Sequence, residues 1–307
     1  MRNCFAEKIS EFAKKDKKIY IVAADISPGG AVENFKNKFP NRFINVGVAE
    51  QAMIGICAGL AMSGARPFAY TIATFALYRP FEMIRDDLCY QNLPVTIVGM
   101  GSGTIYANLG GTHISQEDIS IAKTLPNMTI IAPCDLYELS MAIEFCCTKN
   151  TGPLYLRIGK TEESNFTNQY NKNWKFGKIR KMHEGKKICI ITYGPIMKIA
   201  YAVLESLKKE NIFISIYSCH TLKPLDVKQI RNIFNTYDVV ISLEDHLYIG
   251  GLGADIKILA YEYKFKGKIL TYALMDKFYH IYSSQQDLLR KHRIYKSKII
   301  KDLKRFT

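Results

Sequence analysis

Two stretches of the chain hold side chains that could do chemistry. The first is Asn45-Val46-Gly47-Val48-Ala49-Glu50-Gln51-Ala52-Met53-Ile54-Gly55, where one carboxylate stands at the mouth of a small, apolar helical run. A glutamate at a helix start is commonplace, because the positive end of the dipole favours it. The second is Thr71-Ile72-Ala73-Thr74-Phe75-Ala76-Leu77-Tyr78-Arg79-Pro80-Phe81, whose Phe75, Tyr78 and Phe81 recur every third residue. Ordinary core packing produces such a stripe as well. The glycine runs Gly99-Met100-Gly101-Ser102-Gly103 and Gly250-Gly251-Leu252-Gly253 lack the Gly-x-Gly-x-x-Gly spacing, and no Walker loop occurs. A nicotinamide or ATP site has little support from these residues.

The elements that must position these residues alternate between short β-rich runs and longer helical ones. Strands are expected at Ile19–Ala24, Pro67–Ile72, Val95–Val98, Met128–Ile131 and Leu154–Ile158. Helices are expected at Ala49–Ser63, Pro80–Gln91 and Leu136–Thr148. The strands are apolar on both faces, as in a parallel sheet covered by helices. Residues 161–187 are polar and aperiodic and read as an interdomain linker, longer than an ordinary αβ loop. A second alternating set follows, with strands at Ile188–Thr192, Ile212–Tyr217, Val239–Leu243 and Ile269–Leu274, and helices at Pro195–Lys209, Val227–Phe234 and Gly250–Tyr263. The pattern predicts an α/β protein of two doubly wound domains, 1–160 and 188–307, the first with a mainly parallel sheet.

Composition bounds the function. The chain has 307 residues, enough for two domains, with 48% hydrophobic and 23% charged residues, the mix of a folded soluble protein. No apolar run reaches membrane-span length and the start is not a signal peptide, so a cytoplasmic location and no membrane partner are expected. The net charge of +14 is mostly lysine spread along the chain. It reads as a solvated surface, and no nucleic-acid partner is expected. The basic tail 290–305 fits a surface helix with Ile294, Ile299, Ile300 and Leu303 turned inward. None of the eight cysteines forms a Cys-x-x-Cys pair, and most lie in apolar runs, as buried free thiols do.

In order along the chain, Asp25-Ile26-Ser27-Pro28, Gly47-Val48-Ala49-Glu50, Thr74-Phe75, Gly111-Thr112-His113, Pro126-Asn127-Met128, Gly152-Pro153 and Leu243-Glu244-Asp245-His246 with Gly250–Gly253 resemble the transketolase family. The resemblance covers nearly the whole chain, but only the C-terminal half of a transketolase, as in the C-terminal subunit of split enzymes. It implies a pyrimidine-binding domain, a smaller transketolase C-terminal-like domain, and transfer of a two-carbon ketol unit from a ketose donor to an aldehyde acceptor. It implies thiamine diphosphate as cofactor. The Gly-Asp-Gly motif through which transketolases hold the diphosphate and Mg²⁺ is absent from the sequence. The implied arrangement is an N-terminal partner subunit bringing the Mg²⁺ site, in an α₂β₂ complex around a homodimer core. Gly55, Ala58 and Gly59 of the first helix, small enough for close backbone approach, are a candidate surface for that assembly.

By the same resemblance, Glu50 faces the ring nitrogen of the aminopyrimidine and shares a proton with it, in an apolar site that raises its pKa. Phe75 stacks on the pyrimidine, with Tyr78 and Phe81 lining the same pocket. His113 faces the substrate channel as a general acid or hydroxyl-binding group, although an isolated histidine is more often structural. Arg2 and Lys160 stand where the family binds substrate phosphate, Lys160 in place of an arginine. Gly101 and Leu109 stand where other members carry a histidine and an aspartate. Those exchanges remove polar readers of ordinary sugar phosphates, which leaves a specialised ketose donor or an unusual acceptor open. Two other readings share the fold: the β subunit of a 2-oxo acid dehydrogenase, separable by CO₂ release, and a non-catalytic scaffold.

Overall fold

The computed structural model describes residues 1–26, 32–160 and 164–306. Ser27 and Pro28 of the Asp25–Pro28 motif, and residues 161–163 of the expected linker, lie outside the described residues. Six strands precede the linker: β1 (Ile19–Ala23), β2 (Phe43–Asn45), β3 (Arg66–Ile72), β4 (Thr96–Met100), β5 (Thr129–Ile131) and β6 (Leu154–Ile158). Six more lie beyond residue 160: β7 (Arg180–His183), β8 (Ile188–Thr192), β9 (Ser215–Ser218), β10 (Thr221–Lys223), β11 (Val239–Leu247) and β12 (Lys268–Leu274).

They form two sheets, of order β10-β5-β6-β4-β3-β1-β2 and β12-β11-β8-β9-β7. All pairings are parallel except β10 with β5 and β7 with β9. Strands β4, β6 and β8 are buried along their whole length. Helices on both faces account for that burial and for the mainly apolar make-up of these strands. The helix Leu136–Thr148 and the strands β6 and β8 have the bounds expected from the sequence.

Four features differ from the expected pattern. The stretch 161–187 is not all connection, because it supplies β7 at the edge of the second sheet. Arg180 and Met182 are buried there while Lys181 points out. A four-residue strand whose buried partner is an arginine carries too little apolar alternation to be seen. Strand β10, from the second half of the chain, crosses back to pair with β5, so the first sheet is not built from residues 1–160 alone. The expected helix Pro80–Gln91 is a short α turn, Phe81–Met83, followed by wider π-type turns over Ile84–Tyr90. A helix at Arg2–Lys15, unassigned by pattern, buries Phe5, Ile9 and Ala13. In the tail, Ile294, Ile299 and Leu303 are buried, and Ile300 is half-buried.

The two halves are joined through a buried polar network. Arg157 on β6 donates from Nε to Asp118 Oδ2 at 2.9 Å and from a terminal nitrogen to the Asp245 carbonyl at 2.8 Å. The Asp245 carboxylate accepts from the Thr104 hydroxyl at 2.8 Å. His246 accepts the Ser120 backbone N–H at Nε2, 3.1 Å away, and lies 2.8 Å from the Leu247 carbonyl at Nδ1. Both ring nitrogens are thus used by the neutral form protonated at Nδ1. Burial pushes its pKa down to about 4.

Candidate active site

In the first sheet β1 runs to β2 on one side, and the chain then returns to place β3 on the other side of β1. Such a switch opens a crevice beyond the carboxyl ends of the strands. A cavity of about 470 Å³ lies there, lined by Asp25 and Ile26 after β1, Tyr70–Ile72 at the end of β3, Met100 at the end of β4, and Arg2, Glu50, Phe75, Arg79, Tyr106 and His113. Glu50 opens the helix Glu50–Met62, five residues beyond the last residue of β2, and is only 2% exposed. Phe75 sits in the short helix Ala73–Leu77 that continues β3. Thr71 Oγ1 donates to the Ala24 carbonyl at 3.0 Å and ties the ends of β3 and β1 together beneath the cavity.

The buried Glu50 carboxylate is not left among apolar groups alone, as the sequence led us to expect. One terminal nitrogen of Arg79 donates to both its oxygens, at 2.8 and 3.0 Å. The same guanidinium lies over the Phe75 ring, 4.3 Å from its centroid. His113 stands edge-on to Phe75, with ring centroids 5.2 Å apart and planes at 74°. Burial, then the nearby Arg79 cation, hold the His113 pKa below its ordinary value. Tyr106 forms the neighbouring wall. Its hydroxyl donates to Met100 Sδ at 3.0 Å, and its ring centroid lies 6.1 Å from that of His113.

Glu50, Phe75, His113 and Arg2 therefore come together from four separate parts of the sequence. Arg2 Nε is buried and makes no hydrogen bond with the described residues. Lys160 is set apart. It lies 4.6 Å above the Tyr106 ring and lines an adjoining cavity of about 550 Å³ with Arg2, Cys4 and Glu7. Tyr78 and Phe81 do not line the Glu50 cavity. Tyr78 donates its hydroxyl to Glu117 Oε2 at 2.8 Å, and Phe81 packs half-buried against the first-domain core. Both pack half-buried against the first-domain core, the placement their spacing also allows. Sequence reasoning missed Arg79 and Tyr106. Arg79 sits inside the aromatic stripe, where a cation between two aromatics was the one available signal.

The donor set fits the pyrimidine half of thiamine. A buried carboxylate offers acceptors to a ring N–H or amine, and the adjacent Phe75 face offers stacking to a planar ring. For the metal the outcome differs: among the described residues no group of three or more His, Cys, Asp or Glu could hold an ion.

Comparison with known proteins agrees with this architecture. Residues 1–164 match the family model of the transketolase pyrimidine binding domain, and residues 177–299 that of the transketolase C-terminal domain. A putative transketolase C-terminal section of Methanocaldococcus jannaschii is 34% identical over 91% of this chain and 87% of its own length. One of the subunits of an apulose-4-phosphate transketolase from Phocaeicola vulgatus is 31% identical over 82% of this chain and 81% of its own. A 1-deoxy-D-xylulose-5-phosphate synthase of Clostridium perfringens is 32% identical over 89% of this chain, which spans only 44% of that protein. A solved structure described as a split gene transketolase, inactive beta4 tetramer, superposes with TM-score 0.87 at 28% identity, over 99% of this chain and 97% of its own. The chain belongs to the transketolase family, as a piece corresponding to its pyrimidine-binding and C-terminal domains. Among the described residues no helix is long and apolar enough to cross a membrane.

Proposed function

We propose that this chain is the pyrimidine-binding subunit of a thiamine diphosphate-dependent transketolase, active with an N-terminal partner subunit that brings the diphosphate and Mg²⁺ site. The observation that carries the reading is the buried Glu50 carboxylate facing a cavity beside the Phe75 ring, at the switch point of a parallel sheet. When bound, the cofactor would supply the electron sink for a two-carbon ketol unit. Glu50 holds and returns a proton at the pyrimidine ring nitrogen, and Phe75 fixes the ring plane. His113, whose pKa burial holds below its ordinary value, is poised to exchange a proton with a substrate oxygen. Arg2 supplies a cation for a substrate phosphate, with Lys160 behind the Tyr106 wall.

In this reading the assembly is an α₂β₂ complex with two-fold symmetry. The helix Glu50–Met62 leaves Gly55, Ile56, Gly59 and Met62 exposed, a face suited to close backbone approach, while Ala58 turns into the core. The test is to reconstitute the chain with the N-terminal subunit, thiamine diphosphate and Mg²⁺, and to screen ketose donors and aldehyde acceptors. Ketol transfer by the mixture, and none by either chain alone, is the expected result. The synthase relative favours one second reading, condensation of a 2-oxo acid with an aldehyde. CO₂ release from pyruvate in the same assay would replace ketol transfer with that chemistry.

A further inference from the structure

We propose that Arg79 occupies the place of the cofactor's aminopyrimidine in the unloaded subunit, and that loading the cofactor is a displacement of this side chain. The inference rests on the reading of the cavity as a pyrimidine site. Three observations carry it. A single Arg79 nitrogen lies between the two Glu50 oxygens, at 2.8 and 3.0 Å, where one ring nitrogen would be held. The planar guanidinium covers the Phe75 face at 4.3 Å, a distance at which an aromatic ligand would stack. Arg79 lines the same cavity as Glu50, Phe75 and His113, so the guanidinium and a pyrimidine claim the same space.

The chemistry explains why such a stand-in is useful. A guanidinium is a planar, delocalised cation whose N–H groups match a carboxylate, and an amino-substituted ring offers a similar edge. Without a partner, the buried Glu50 charge would be left uncompensated, which is strongly unfavourable. Arg79 satisfies it until a ligand arrives. The side chain is free to leave, because it is 44% exposed while Glu50 is 3% exposed at the side chain. Its helix ends at Leu77, and Arg79 belongs to the turn before Pro80. The apparent affinity for the pyrimidine is then reduced by the fraction of molecules in which Arg79 closes the site.

The test uses the full-length chain and a neutral probe, the hydroxymethyl aminopyrimidine half of thiamine, with binding followed by calorimetry. Arg79→Gln should tighten binding by at least ~5-fold, the low end of a coupling between sites. Glu50→Ala in the Arg79→Gln background should abolish the gain. A second measurement needs no variant. Salt weakens a half-exposed ion pair, so the wild-type chain should bind the neutral probe more tightly as ionic strength rises from about 10 mM to about 150 mM. Unchanged or weaker binding by a folded Arg79→Gln chain, a gain independent of Glu50, or a flat salt response in the wild type would each overturn the proposal. If Arg79→Gln does not fold, the salt response alone decides. A reconstituted complex that transfers no ketol unit, with the displacement behaviour intact, would instead sink the transketolase reading.

Discussion

The ring of Tyr106 fills the space that a Cβ on Gly101 would need. A methyl group there would overlap the ring atoms, and Gly101 also has φ +68°, a conformation that strains any other residue. The glycine is therefore the condition for an aromatic wall between His113 on one side and Lys160 on the other. Gly101→Ala should cost about 2 kcal/mol or more from overpacking and backbone strain, read from denaturant unfolding. Tyr106→Ala in the same background should recover part of the loss, because the two residues compete for one volume. Strict additivity of the two substitutions would contradict this account.

Glu50→Gln keeps the shape of the side chain and can no longer exchange a proton. In the reconstituted complex the turnover rate should fall by at least ~100-fold, the lower range for a lost acid–base group. The melting temperature should change little by comparison. A Gln variant within a few-fold of wild type would remove Glu50 from the chemistry.

The domain junction should respond to acid through His246. Its folded-state pKa of about 4 lies below the ordinary 6.5, so the unfolded chain takes up the proton first as pH falls. The stability it contributes is present above pH 6.5 and is lost as pH falls through 4, roughly 3 kcal/mol at the limit. Neighbouring Glu244 runs the other way. Burial raises its pKa from 4.5 to about 7, so its contribution is present below pH 4.5 and lost as pH rises through 7. His292, also pushed down to about 4 by burial, adds to the acid loss. His246→Gln should flatten the fall in melting temperature between pH 6.5 and 4. Parallel curves for variant and wild type would refute the assignment.

Arg157→Met should be among the most damaging substitutions. Arg157 is 2% exposed and Asp118 is fully buried, and removing the cation leaves that buried carboxylate with the neutral donors Tyr155, Ser115 and the Ile119 backbone N–H but no countercharge on Oδ2. A loss of about 3–5 kcal/mol is expected for breaking a buried pair from one side. Asp118→Asn added to Arg157→Met should restore part of it. The measurement is equilibrium unfolding of the two variants beside wild type.

Much of this protein is written locally. The run Leu136–Thr148 forms its helix because Asp135 caps it, accepting the Glu138 N–H at 2.9 Å, and an apolar face follows. Strands β6 and β8 are buried on both faces and are apolar but for Arg157 and Thr192. Glu50 and Phe75 could be named as candidates because the Gly47-Val48-Ala49-Glu50 and Thr74-Phe75 motifs, which carry the family resemblance, are runs of neighbouring residues. Tertiary structure decided what neighbours in sequence do not encode. It turned Tyr78 and Phe81 into core, took β7 from an apparent linker and carried β10 into the other sheet. It also set Arg79 against Glu50, 29 positions away. The physical reason is common to all four. Side-chain periodicity reports which face of an element is apolar, but not which element will cover it. That choice is made when the sheets pack and each buried charge or ring must find a partner across the fold.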